Sequence, residues 1–204
     1  MKKVKKIISV VLVLGMFSGT AFSATQIEWW HAMGGALGEA VNTIVGGFNR
    51  SQTEYEMKAV YKGNYTETMT AAIAAFRAKK QPHVVQVFEV GTATMMAAKG
   101  AIYPVHQMMK DTGQPFDESR YISAVIGYYT TTDGKLLSLP FNSSTPVVFW
   151  NKAAFAKAGL SGAPKTWEEM GKFSRKLISS GASECGFTIG WQSWSMLENF
   201  STWH

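Results

Sequence analysis

The sequence predicts an α/β fold with a mostly parallel sheet, and two observations lead to that prediction. Short apolar runs alternate with segments of helical periodicity through the first half of the chain. Turn and cap residues, among them Gly63, Asn64 and Pro82, separate these segments. The alternation is typical of parallel strands joined by helices that cover both faces of the sheet. Ligands of such sheets bind beyond the carboxyl ends of the strands.

The first two predicted strands enclose a long amphipathic helix. Residues 26–30 form the first apolar run, and a tight turn at 31–35 follows it. Residues 55–61 alternate between apolar and polar side chains, which predicts the second strand. Between the two strands, apolar residues recur at helical spacing and predict one buried face, made of Leu37, Val41, Ile44, Val45 and Phe48.

A second helix has clear start and stop signals. Asn64 is a favourable N-cap, and Glu67 stands where a capping box requires it. Pro82 ends the segment. Residues 83–87 then predict a short third strand, and residues 92–99 a further helix. The predicted buried stripe of the second helix consists of Met69, Ile73 and Phe76.

The second half of the chain predicts helices with short apolar runs between them. We expect helices near 119–128 and over 152–158, a turn at Asp133 and Gly134, and a strand over 186–190. Thr166 and Glu169 match a second capping box, before another amphipathic helix. The segment 139–150 is unusual, because small polar residues and a proline interrupt an apolar run. It is either a hydroxyl-rich turn or a strand that passes between two domains and shows its hydroxyls to a ligand.

The N-terminus indicates export. Lysines at the start, an apolar run at 7–17 and small residues before a cleavage site are typical of a secretory signal peptide, here over residues 1–23. The run is shorter than the about 20 residues needed to span a bilayer. No cysteine near the cleavage site is available for lipid attachment, and we therefore expect a soluble periplasmic protein. We expect the single cysteine, Cys185, to be a buried small hydrophobe, with pairing to a cysteine outside this sequence as the alternative.

Charge argues against nucleic acid as a partner. The formal net charge of +6 falls to +2 when the four lysines of the signal are removed. No cluster of lysine and arginine with interleaved aromatic residues remains. The four histidines are scattered, and no hydrolase, zinc, dithiol or phosphate-loop motif occurs, so we expect no metal, no cofactor and no enzyme.

Two candidate ligand contacts follow the predicted strands of the first half. Glu89 ends an apolar run, where an unpaired carboxylate would be costly. It either faces solvent at a strand end or accepts hydrogen bonds from ligand hydroxyls or binds a cation. Tyr65 lies in the first turn of a capped helix, where an anion is favoured. The alternative for Tyr65 is simple packing on the helix start.

Three further candidates lie in the second half. Ser144, flanked by Ser143 and Thr145, offers hydroxyls that suit phosphate, carboxylate or sugar oxygens, unless the segment is only a turn. Trp191 and Trp194 follow a predicted strand closely and present faces on which a sugar or a polyol can stack.

Several motifs resemble a known family. The most specific are GNYTE, VFEVGTATMM and PFNSSTPV, which resemble those of periplasmic sn-glycerol-3-phosphate-binding proteins of bacterial ABC importers. Two others, NKAAFAKAGL and PKTWEEM, recur across the wider extracellular solute-binding family, which includes maltose-binding proteins. The resemblance covers nearly the whole chain after the signal. It extends over the N-terminal part of the family pattern only.

The resemblance implies a periplasmic-binding-protein-like fold, in which two α/β lobes close over a ligand. It implies a first lobe over 24–141, an interlobe hinge at 142–146, and the start of an incomplete second lobe over 147–204. It also implies that the interrupted strand at 139–150 is the crossing between lobes.

The resemblance further implies a role for each candidate. Tyr65 and Ser144 match positions suited to polar oxygens, the phosphate included. Glu89 matches a position that accepts hydrogen bonds from the glycerol hydroxyls. Trp191 and Trp194 match a tryptophan pair that lines the cleft against the glycerol moiety. A carboxylate beside the phosphate would repel it, so we expect Glu89 and the phosphate at opposite ends of the ligand.

The implied function is that of the substrate-binding subunit of an ABC importer. Its ligand would be sn-glycerol 3-phosphate, with glycerophosphodiesters such as glycerophosphocholine as an extension, and it would deliver ligand to permease subunits as a monomer. Chains of the family are longer than this one, so we expect weak or no binding by this chain alone. The alternatives are an oligosaccharide-binding protein of the same family, a non-functional truncated fragment and an exported phosphodiester hydrolase.

Overall fold

A computed structural model describes residues 23–88, 91, 92, 94, 95, 98 and 100–202. The predicted signal peptide, apart from Ser23, lies outside the described residues, and so does Glu89. The chain divides into two compact units, Met1–Phe141 and Asn142–His204, and each is described by itself.

The first unit is built on a parallel sheet. Its strands are β1 (Thr25–His31), β2 (Tyr55–Tyr61) and β3 (Val84–Val85), in the order β2-β1-β3. Thr25 pairs with Tyr55 at one end of the sheet and His31 with Tyr61 at the other. The central position of β1 brings the ends of all three strands to one edge. The predicted parallel α/β arrangement is confirmed, although β3 is shorter than the five residues predicted at 83–87.

Helix α1 (Gly35–Ser51) follows β1 and covers the sheet with a narrower face than predicted. Val41 and Val45 are buried, with exposed fractions of 1% and 7%. Leu37 and Ile44 are exposed, so the prediction of a continuous buried face was wrong at these two positions. A three-stranded sheet whose edge strand has two residues covers only a strip of the helix. The adjoining core contains Trp29 and Met33, with Met57, Ala59 and Tyr65 packed against it.

Helix α2 (Tyr65–Arg77) begins at the capping box predicted from the sequence. The Asn64 side chain accepts a hydrogen bond from the Glu67 N–H, and Glu67 accepts one from the Asn64 N–H. The fully buried positions of α2 are Thr68 and Ala72 and not the predicted stripe. Met69 and Ile73 are half-buried and Phe76 is exposed, because the face toward the sheet is rotated by one residue from the apolar stripe.

The rest of the first unit is made of short elements. Helix α3 (Val105–Thr112) is followed by a 3₁₀ turn at Glu118–Arg120, α4 (Ser123–Ile126) and a 3₁₀ turn at Gly127–Tyr129. The single helix predicted near 119–128 is therefore replaced by two 3₁₀ turns and the short helix α4. The turn predicted at Asp133 and Gly134 is confirmed, with Gly134 at a φ of 77° and a bridge between Thr130 and Leu136. Of the helix predicted at 92–99, the described residues 92, 94 and 95 are helical.

The second unit consists of helices and irregular segments in its described part. Its helices are α5 (Lys152–Lys157), α6 (Trp167–Ser179), a π-helix (Ser193–Glu198) and α7 (Asn199–Thr202). The buried core is Phe155, Ala158 and Leu177. Two lysines join the helix ends: Lys157 Nζ donates to the Gly181 carbonyl at 2.9 Å and Lys176 Nζ to the Gly159 carbonyl at 3.2 Å.

Three local predictions for the second unit were wrong. The strand predicted at 186–190 is absent, because a strand needs a hydrogen-bonded partner and no neighbouring strand is present in the described part of this unit. Residues 147–150, for which the sequence left a turn and a strand open, are not a strand either. The Glu169 carboxylate accepts a hydrogen bond from the Lys165 N–H. The box at Thr166 therefore keeps only one of its two arms, the hydrogen bond that the Glu169 N–H donates to Thr166 Oγ1. Cys185 is exposed and is a free thiol.

Candidate functional site

The carboxyl edge of the first unit's sheet is the best-defined candidate site. Three connections leave the sheet there: residues 32–34 after β1, residues 62–64 after β2 and residues 86–88 after β3. Hydrogen bonds and ring contacts join these connections to one another.

His31 lies at the end of the central strand and is buried, with 3% of its surface exposed. Its Nδ1 accepts a hydrogen bond from the Met33 N–H at 3.3 Å. The imidazole packs between the rings of Trp29 and Tyr61, with centroid distances of 5.7 and 6.0 Å. Burial lowers the pKa of His31, so the ring is an uncharged acceptor at neutral pH.

The connection after β1 comes close to the end of β2. A Cβ added to Gly34 would lie 3.2 Å from the hydroxyl oxygen of Tyr61, so glycine lets the two segments approach. Lys62 places its ammonium 3.9 Å from the ring centroid of Trp30, a cation–π contact. The indole N–H of Trp30 donates to the Glu28 carboxylate. The carboxyl edge of the sheet therefore carries aromatic rings and the ammonium group of Lys62.

Tyr65 is the first residue of α2, and its ring stacks on Phe88. The centroids lie 5.5 Å apart and the planes differ by 15°. This contact joins the connection after β2 to the connection after β3. Glu89 follows Phe88 directly, but it lies outside the described residues, so its predicted contact with ligand hydroxyls stays a prediction.

Gln86 is a buried polar residue of this edge that sequence reasoning missed. Its exposed fraction is 7%, and its side-chain oxygen accepts a hydrogen bond from the Ala32 N–H at 3.0 Å. The only signal in the sequence was a polar residue inside the apolar run HVVQV.

The remaining candidates lie in the second unit. Ser144 is exposed in the irregular segment 139–150. Trp191 and Trp194 form a pair, with ring centroids 6.2 Å apart and planes at 86°. Trp191 is 62% exposed and has a φ of 50°, which is rare for a residue with a side chain. The structure thus brings together the two tryptophans, and separately Tyr65 and Phe88.

Metal-binding clusters and membrane-spanning helices are both absent from the described residues. No group of three or more histidine, cysteine, aspartate or glutamate side chains that could hold a metal ion occurs among them. Within the same described part, no helix combines the length and the apolar character needed to cross a membrane. Aromatic rings, hydroxyls and backbone donors at a sheet edge suit the recognition of a small polar ligand.

Comparison with protein families decides the relationship. The model of the bacterial extracellular solute-binding proteins matches residues 15–204. The chain belongs to this family. The chain is 51% identical over 201 residues to the sn-glycerol-3-phosphate-binding periplasmic protein UgpB of Yersinia pestis, covering 97% of this chain and 45% of the relative. The UgpB protein of Agrobacterium fabrum is 45% identical over 207 residues, covering 100% of this chain and 48% of the relative.

These comparisons confirm the resemblance predicted from GNYTE, VFEVGTATMM and PFNSSTPV. The chain spans about half the length of the curated relatives it matches. The relatives are periplasmic by name, which confirms the predicted compartment, and they are solute-binding proteins, not enzymes.

Solved structures confirm the fold. Maltose-bound MalE3 of T. maritima superposes with a TM-score of 0.59 at 17% identity, over 78% of this chain and 39% of that protein. The predicted membership of the periplasmic-binding-protein fold class is therefore confirmed, while so distant a neighbour says nothing about the ligand.

Proposed function

We propose that this chain is part of the substrate-binding subunit of an ABC importer that captures sn-glycerol 3-phosphate. The observation that carries the proposal is the identity of 51% with the periplasmic protein UgpB over 97% of the chain. Partners would be permease subunits, which receive the ligand. The protein would need no cofactor and would catalyse no reaction.

The proposed ligand contacts are those named from the sequence. Tyr65 and Ser144 would bind polar oxygens, including those of the phosphate. Glu89 would accept hydrogen bonds from the glycerol hydroxyls. Trp191 and Trp194 would pack on the glycerol moiety, which agrees with their pairing at 6.2 Å and with the exposure of Trp191.

The geometry of Tyr65 supports its role. Its ring is held on one face by Phe88, and its backbone begins a helix of 13 residues. The positive end of the helix dipole favours an anion near this point. A ring held in this way loses little conformational entropy when its hydroxyl binds a ligand.

We also propose the division into lobes. Residues 24–141 would form the first lobe, 142–146 the hinge and 147–204 the beginning of the second lobe. The boundary between the compact units, after Phe141, supports this division. The irregular backbone at 142–150 lacks a strand partner in the described part of its unit, which suits a segment that bends.

A second candidate is oligosaccharide binding. It is favoured by the tryptophan pair, since aromatic faces stack on sugars. The two candidates differ in charge, because the first ligand carries a phosphate and the second carries none.

Calorimetric titration tests both candidates. The test protein joins this chain to the portion of the Yersinia pestis relative that lies beyond the matched 201 residues. We expect saturable binding of sn-glycerol 3-phosphate and no heat from glycerol or maltose. The intact relative is the positive control, and circular dichroism verifies that the joined protein is folded. Binding of maltose without binding of sn-glycerol 3-phosphate would favour the second candidate and contradict the first.

A further inference from the structure

Gln86 has an unusual place for an uncharged polar residue. It follows β3 directly, in a run of valines, and 7% of its surface is exposed. Its backbone N–H donates to the Trp30 carbonyl at 2.9 Å and continues the pairing of β3 with β1. Its side-chain oxygen accepts the Ala32 N–H at 3.0 Å. One residue therefore binds both the end of β1 and the turn after it.

The segment after Gln86 is fixed against α2. The Phe88 carbonyl accepts hydrogen bonds from the N–H and the Oγ1 of Thr92, at 2.9 and 3.0 Å. A Cβ added to Gly91 would lie 2.5 Å from Met69 Sδ and 2.9 Å from Val87 Cγ1. The side chains of Met69 and Val87 would have to shift to admit a larger residue, so Gly91 lies in close contact with the helix that begins at Tyr65.

These contacts form a continuous path through the edge of the sheet. It runs from the Ala32 N–H to the Gln86 side chain, along two residues to Phe88, and across the stacked rings to Tyr65. Each step is a hydrogen bond, a covalent link or a ring contact.

We infer that Gln86 is a positioning residue for the ligand-binding edge: by holding the turn after β1 to the exit of β3, it sets the ring of Phe88 and through it the ring of Tyr65. The inference rests on the proposed function, because Tyr65 is a ligand contact only under that proposal. A binding group held in place by packing and hydrogen bonds is preorganised, which lowers the cost of binding.

The test replaces the amide by a thioether of similar length. Gln86→Met keeps the volume but leaves the Ala32 N–H without its acceptor. In the 204-residue chain, we expect exchange of the Ala32 amide hydrogen to accelerate by about tenfold or more. The ring resonances of isotope-labelled Tyr65 should shift at the same time, because the stacked Phe88 ring moves.

Asn49 provides the matched control, because it is also a side-chain amide that binds backbone groups. It accepts the Met57 N–H at 2.8 Å and donates to the Met57 carbonyl at 2.9 Å, between α1 and the middle of β2. Asn49→Leu should accelerate exchange at Met57 and leave the Ala32 amide and the Tyr65 ring resonances unchanged. If both side-chain amides contributed to stability alone, the Tyr65 spectrum would be the same in Gln86→Met and Asn49→Leu.

Ligand affinity completes the test, in the chain joined to the rest of the Yersinia pestis relative. Gln86→Met should weaken sn-glycerol 3-phosphate binding by about fivefold to tenfold, and Asn49→Leu by less than about twofold. Faster Ala32 exchange with an unchanged Tyr65 spectrum and unchanged affinity would overturn the inference. If the joined protein without substitutions bound no ligand, the proposed function would fail, and the Tyr65 spectrum of the 204-residue chain would still decide the role of Gln86.

Discussion

The two units support their candidate residues in different ways. In the first, Tyr65 begins a capped helix, stacks on Phe88 and lies against a parallel sheet. In the second, Ser144 lies in exposed irregular backbone, and Trp191 is 62% exposed beside Trp194. A sheet edge is held by residues distant in sequence, whereas a helix end or an extended segment has mainly local support. The first set of contacts is therefore preorganised by its own unit, and the second set is less constrained.

The largest expected effect contrasts two tryptophans. Trp29 is 8% exposed and packs edge-on against Phe141 at 5.0 Å, within the core of the first unit. Trp29→Ala should lower the free energy of unfolding of that unit by about 3–5 kcal/mol. Urea denaturation followed by amide exchange of β1 and β2 measures the change.

Trp191→Ala is the companion variant in the second unit. Because its ring is largely exposed, the loss of stability should stay within about 0.5 kcal/mol. Equal destabilisation by the two substitutions would remove the contrast between a buried and a largely exposed ring.

The next effect contrasts the two helix starts. The double change Asn64→Ala and Glu67→Ala removes both hydrogen-bonding arms of the box at α2, from the Glu67 N–H to Asn64 Oδ1 and from the Asn64 N–H to the Glu67 carboxylate, and should cost about 1–2 kcal/mol. Thr166→Ala removes one arm at α6, because Glu169 binds the Lys165 N–H independently, and should cost about 1 kcal/mol or less. Thermal unfolding of each variant measures which loss of stability is larger. A larger loss from Thr166→Ala would contradict the assignment of two arms to the box at α2 and one to the box at α6.

A smaller effect concerns an unsatisfied group in the first unit. Thr68 has no exposed surface, and its Oγ1 has no hydrogen-bond partner among the described residues. Thr68→Val removes the buried hydroxyl while keeping the shape, and should raise the free energy of unfolding by about 1 kcal/mol. Thr70→Val, at an exposed position of the same helix, controls for the change in helix propensity.

The smallest expected effect is a dependence of stability on pH. Burial lowers the pKa of His31, so the folded state binds fewer protons than the unfolded state just below the ordinary histidine pKa of 6.5. The contribution of His31 to stability is present above that pKa and is lost as the pH falls toward the lowered value. Denaturation between pH 5 and about pH 8 should show this slope, and His31→Gln should flatten it. An unchanged slope in the variant would show that another group is responsible.

The sequence predicted the elements whose signals are local. The alternation at 55–61 and the cap at Asn64 were confirmed, because strand pattern and capping depend on residues close in sequence. Other outcomes depend on partners that are distant in sequence. Residues 147–150 and 186–190 are apolar but lack a neighbouring strand, and Leu37 and Ile44 are apolar but lack a covering layer in the described unit.

The candidate site shows the same limit. Tyr65 was named from its place at a helix start, but its stacking on Phe88 could not be predicted, because the two residues are brought together only by the order of the strands. The role of Gln86 was hidden for a similar reason, since its partner, the Ala32 N–H, lies 54 residues away. Glu89, Ser144 and both tryptophans were also named from the residue pattern, motif resemblance assigned their roles, and their ligand contacts stay predictions.

The most direct measurement compares two tyrosines at opposite ends of the same sheet. Tyr65 lies at the carboxyl edge, and Tyr55 begins β2 at the amino edge. In the chain joined to the rest of the Yersinia pestis relative, Tyr65→Phe should weaken sn-glycerol 3-phosphate binding by about tenfold or more, because it removes one hydroxyl and keeps the stacked ring. Tyr55→Phe should leave the affinity unchanged. Equal affinities for the two variants would contradict the assignment of the ligand to the carboxyl edge of the first unit.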